Sequence, residues 1–183
     1  MGATLLGTAP AQAATTTATG GGAHRVVTQA MTVTGFNVKV AAAHGYEIRT
    51  TPSGVQYSVK KGTPSTATPS IAHPNTTIGG NCGSSYIDYN AVGNLSVKVQ
   101  TGFNVDEPAT SYWWLVVMKD NGGQSSHTWS GGLLLRTSWG VTRTFGGMTA
   151  GESDAYVSTG SSAILVDGSV CTSGGLEDFT WIY

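Results

Sequence analysis

Tyr112-Trp113-Trp114-Leu115-Val116-Val117-Met118-Lys119, followed by Asp120-Asn121-Gly122-Gly123, is the stretch on which the fold class turns. Valine, tryptophan and tyrosine dominate it, and β-branched and aromatic side chains suit a pleated backbone. Both alternating faces of 112–118 are apolar, the pattern of a central strand covered on both sides. Asp120–Gly123 then reads as a tight hairpin turn.

Working outward, further candidate strands cover 86–89, 95–101, 133–138, 141–145, 155–158, 163–166 and 179–183. Clusters of Gly, Asn, Asp, Ser and Thr separate them at 91–94, 146–147, 159–162 and 167–168. Short strands with regular turn signals predict an all-β fold, an antiparallel β-sandwich of immunoglobulin-like or jelly-roll-like type. Phe179, Trp181 and Tyr183 fall on one face at period two, so that face is expected in the core or across a neighbouring strand. Ala150–Val157 resembles the turn and strand that carry the corner tyrosine of immunoglobulin-like sandwiches.

Upstream lies a small N-terminal β-rich extension. Residues 25–33 are strand-like, and Tyr46–Thr50 and Val55–Lys60 flank Thr51-Pro52-Ser53-Gly54 as a hairpin. Residues 36–45 support two readings: a strand, from the alternation of Phe36, Val38 and Val40, or a short helix stopped by Gly45. The expected organisation is a signal-peptide remnant over 1–13, a flexible leader over 14–23 and an N-terminal β-hairpin element over 24–61. A Pro/Ser/Thr linker follows over 62–76, then a disulfide-clamped sandwich domain over 77–183. Ala11-Gln12-Ala13 carries the signal reading, because it fits the small-x-small rule of signal peptidase.

Charged residues make up only 10% of the 183-residue chain and hydrophobic ones 39%. A soluble domain usually carries about 25% charge. Here hydroxyls and glycines take that place, as on the outer faces of secreted β proteins. The net charge of −1 and a single adjacent basic pair, Lys60-Lys61, leave no basic stripe for nucleic acid. No run approaches the ~18 apolar residues of a membrane span.

Cys82 and Cys171 each sit among turn formers, Gly79-Gly80-Asn81-Cys82-Gly83 and Cys171-Thr172-Ser173-Gly174. In an exported chain such a pair reads as one disulfide. Closing so long a loop stabilises the fold by roughly 4.6 kcal/mol in the chain-entropy model.

Cys82-Gly83-Ser84-Ser85-Tyr86 resembles the signature around the nucleophile of papain-like cysteine proteases. Ser85 stands where that family has its nucleophile, and Gly79 where it has its oxyanion glutamine. The following residues alternate like a strand rather than opening a long helix. The match therefore leaves Cys82 as a disulfide cysteine. The segment Gly80–Tyr86 and the Ala/Thr/Gly leader resemble exported actinomycete β-rich proteins. That resemblance implies an extracellular role and carries over no catalytic residue.

No Gly-x-Ser-x-Gly elbow and no metal-ligand spacing occurs. No cofactor is implied; a loop-bound calcium is the one ion that the oxygen-rich turns suit. The functional clue is aromatic. Trp113, Trp114 and Trp181 lie in apolar strands and are expected in the core. Trp129 and Trp139 lie among Ser, Gly and Thr with His127 nearby, so these three are the candidate ligand-binding residues, placed on loops. A turn tryptophan stacks on a sugar face or anchors a protein interface. The expectation is a secreted, non-catalytic module that binds an extracellular glycan, cell-wall component or protein. Alternatives are a polysaccharide-acting enzyme using loop carboxylates and a secreted protease inhibitor.

Overall fold

A computed structural model describes residues 15–16, 26–64 and 79–183. The expected signal-peptide remnant and most of the leader and linker lie outside the described residues. In chain order the elements are β1 (Thr15–Thr16), β2 (Val27–Phe36), α1 (Val38–Ala43), β3 (Tyr46–Thr50), β4 (Gln56–Lys60) and β5 (Asn81–Gly93). Then come β6 (Ser96–Asp120), β7 (Gly123–Gly146), β8 (Gly151–Val157), β9 (Ser162–Leu165), β10 (Ser169–Thr172) and β11 (Glu177–Ile182). The fold is all-β, and every ladder is antiparallel.

Five strands close into a barrel, β5–β2–β10–β9–β6 and back to β5, where a sandwich would leave sheet edges apart. The cause lies in β6. The candidate strands 95–101 and 112–119 are one strand, bent in its middle. One edge of β6 pairs β5 over Ser96–Val105, β9 over Ala109–Trp113 and β8 over Val116–Lys119. Its other edge pairs β7 along both halves. The β6–β7 ladder skips between Asn104 and Ala109, around Pro108. Proline has no N–H to give a ladder, so it is tolerated where a strand bulges. Opposite it, β7 turns through Leu134 (φ 48°) and Leu135 (φ 64°), two consecutive left-handed residues without glycine. The bend folds the hairpin onto itself, so the two halves face each other.

The core fills that fold and the barrel. Trp114, Tyr89, Phe103, Met31, Ile87, Met118 and Ile182 are fully buried. Their polar atoms are satisfied, as burial demands. The Trp114 indole donates to Thr101 Oγ1 (3.0 Å), which donates to the Tyr86 carbonyl (2.9 Å). The Tyr89 hydroxyl pairs with Ser153 Oγ (2.7 Å).

Cys82 and Cys171 form the disulfide, with Cα atoms 5.9 Å apart. Both lie on strands rather than in glycine turns, Cys82 on β5 and Cys171 on β10. These strands flank β2, so the bond braces the barrel from inside. The N-terminal segment divides: β2 is a barrel wall, while β3 and β4 make a separate two-stranded sheet. Residues 38–43 are helical. Asn37 accepts from the Val40 N–H (3.1 Å) as N-cap, which ends the strand reading there. Gly168 (φ 88°) lets the β9–β10 turn press on that helix, since a Cβ there would meet Ala41 Cβ at 2.7 Å.

Candidate binding surface

Two aromatic rows line the molecule. The first belongs to β7. Residues 124–132 are strand and not loop, because they pair residue for residue with the second half of β6. Trp129 and Trp139 therefore sit on a bent strand, on the face turned toward the core. Both are partly buried, with ring centroids 6.3 Å apart. His127 lies 4.0 Å from Phe145 and 6.3 Å from Trp129. Trp139 also packs on Tyr112 (4.4 Å), Phe103 (5.9 Å) and Trp114 (6.0 Å). Burial raises the Tyr112 phenol above its ordinary pKa. The structure thus brings the three predicted residues into one row that closes the open side of the folded hairpin.

The bend opens a hollow of about 400 Å³ beside this row. Trp139 and Phe103 line it with Tyr86, Asn104, Arg136 and Ser138. Its wall is thinned by a paired Gly102 and Gly140, over which the Tyr86 ring lies. A Cβ on Gly102 would meet the Tyr86 hydroxyl at 2.7 Å. Buried Leu133 completes its lining.

The second row runs along β11 and the residue just past it, and here the period-two reading found the right residues and assigned the wrong face. Phe179, Trp181 and Tyr183 are 57, 66 and 71% exposed. Their alternates face inward. Asp178 Oδ2 accepts from the Tyr89 N–H (2.8 Å) and Thr180 Oγ1 from the Ala91 N–H (3.1 Å). The edge of β5 at 89–91 is thus met by side-chain oxygens of β11. That demands acceptors at 178 and 180 and turns the rings outward. Asp178, polar yet expected to alternate with core rings, was the sequence signal for this. Trp113 is likewise exposed, on the outer face of β6, and only Trp114 of the expected core tryptophans is in the core.

Neighbouring strands extend this outer face. In register, Glu177 opposes Tyr156, Phe179 opposes Asp154 and Trp181 opposes Glu152. Lys119 on β6 opposes Asp154, with Nζ 3.9 Å from Oδ2 and 4.7 Å from the Tyr156 ring centre. Burial first, and then the nearby Asp154 carboxylate, raises the Glu177 carboxyl above its usual range. Asp120, at the start of the expected turn, spends its carboxylate on backbone. Oδ1 accepts from Gly122 (2.8 Å) and Gly123 (3.0 Å), and Oδ2 from Thr149 (2.8 Å). These bonds, Thr149 foremost, lower its pKa. Among the described residues no group of three or more His, Cys, Asp or Glu could hold a metal ion, and no helix is long and apolar enough to cross a membrane.

No family model matches this chain, and no curated protein or solved structure proves significantly similar to it.

Proposed function

We propose that this protein is a secreted, non-catalytic module that binds an extracellular glycan on the outer face of β11 and β8. One observation carries the reading: Phe179 and Trp181 on β11, and Tyr183 just beyond its end, are each more than half exposed. Contiguous exposed apolar surface marks an interaction site. Rings in a row, about 7 Å apart along a strand, offer flat apolar surfaces to the faces of successive sugars. Carboxylates and Lys119 between them supply hydrogen bonds to hydroxyls. The disulfide supports an oxidising, extracellular setting. The hollow beside Trp139 is a second sugar contact, since it combines aromatic floor with Asn104, Arg136 and Ser138 in its lining. This keeps Trp139 in a binding role, with Trp129 and His127 supporting it from the same row. Of the expected two-sheet architecture, the stacked halves of the β6–β7 hairpin are the part that supports a sandwich-like reading.

The test is a pull-down and titration against a panel of insoluble and soluble polysaccharides. Trp181→Ala and Phe179→Ala should each weaken binding at least about fivefold, with melting unchanged, as loss of one stacking contact of about 1 kcal/mol implies. Trp139→Gln probes the hollow. Binding that is indifferent to Trp181 and Phe179 would remove the proposed face. Turnover of any polysaccharide, abolished by Glu177→Gln, would favour the enzyme reading instead.

A further inference from the structure

The outer face of β8 and β11 has a regular chemistry. Three successive cross-strand pairs each set a ring against a carboxylate: Tyr156 with Glu177, Phe179 with Asp154 and Trp181 with Glu152. Because antiparallel partners hold their Cβ atoms about 5 Å apart, ring and acid act on the same bound unit. The side of the ring changes once, because the first ring is on β8 and the other two are on β11. Lys119 is the one cation in these rows, and it is already placed at Asp154 and Tyr156. Glu152 and Glu177 are exposed, so the face carries an excess of negative charge over a chain whose net charge is only −1.

A neutral sugar donates hydroxyl hydrogen bonds to these carboxylates but brings no counter-charge, and an acidic one is repelled by them. A sugar bearing a protonated amine meets an apolar ring and a counter-charge together, and a cation beside an aromatic face adds an attraction of its own. Resting on the glycan reading above, we propose that this ring-and-carboxylate face selects a polysaccharide with free amino groups, a de-N-acetylated amino-sugar polymer. Burial is the first cause of the raised Glu177 carboxyl and the Asp154 carboxylate the second, and an ammonium placed beside the two carboxyls offsets the second.

The experiment titrates the intact protein with three probes of matched length: a β-linked glucosamine hexamer, the fully N-acetylated hexamer and hexalysine. Two exposed ion pairs of ordinary strength correspond to about a fivefold preference for the glucosamine hexamer over its acetylated counterpart. Added salt should shrink that preference. Glu152→Gln with Glu177→Gln, both exposed and away from the core, should bring the two sugars to within about twofold, with the glucosamine hexamer losing more affinity than the acetylated one. Trp181→Ala should weaken both. Equal or tighter binding of the acetylated hexamer overturns the selectivity and leaves the glycan reading standing. Hexalysine binding as tightly as the glucosamine hexamer overturns the sugar requirement. Failure of every sugar, with Trp181→Ala silent, removes the glycan reading itself and this inference with it.

Discussion

The aromatic rows of β7 and β11 each end with the opposite exposure to the one their sequence suggests. Trp129 and Trp139 sit among small polar residues and look like surface residues, yet they close the core. Phe179, Trp181 and Tyr183 look like a core face, yet they stand in solvent. The difference comes from what each strand's other face must do. Thr128, Ser130 and Ser138 on the polar face of β7 are exposed, whereas its ring face meets the other half of its own folded hairpin. On β11 the polar face is claimed by β5, whose N–H groups at Tyr89 and Ala91 need acceptors. Unsatisfied buried amides cost more than exposed rings do. Hydrogen-bond demand therefore decided the orientation of β11 against side-chain hydrophobicity.

The largest break in the comparison comes from truncating a ring in each row. Trp139→Ala should lower unfolding stability by about 2–3 kcal/mol, because it removes contacts with Phe103, Tyr112 and Trp114. Urea denaturation measures this. Asp178→Ala comes next, at about 2 kcal/mol, since it strands the Tyr89 N–H in a buried setting. A cost near zero would mean that β11 is not oriented by this bond. Trp181→Ala should stay within about 0.5 kcal/mol of wild type, as an exposed substitution does, while weakening glycan binding. A Trp181 cost as large as that of Trp139 would erase the distinction between the rows.

The smallest effect concerns the tie between the two ends of β7. Asp120 precedes the strand and holds Thr149 just beyond it. Its folded pKa is lowered below the ordinary 3.8. Its contribution is therefore fully present above the unfolded value and is lost as pH falls through the folded one. The stability difference between wild type and Asp120→Asn should be constant near neutral pH and disappear at the acid end of a pH series of denaturation midpoints.

Much of the β content was legible residue by residue. The hairpin of Tyr46–Thr50 with its partner, the long apolar run through Trp114, the turn at Asp120 and the disulfide all follow from local chemistry. What escaped was continuity. Candidate strands at 95–101 and 112–119 form one β6, because the bend at Pro108 reads locally as a break. Residues 124–132 read as loop, because serine and glycine dominate them. Cys82 and Cys171 looked like turn residues because glycine surrounds them, but Gly83 serves close strand packing: a Cβ there would lie 2.8 Å from the Val105 Cα.

By itself, then, the sequence determined strand periodicity, antiparallel all-β class and the single covalent bridge, since each rests on neighbours within a few residues or on the only two thiols present. The tertiary structure alone decided that the strands close into a barrel and which face of β7 and of β11 meets water. A strand's two faces are equivalent in its own geometry. Only the partner across the fold, and the hydrogen bonds that it requires, breaks that symmetry.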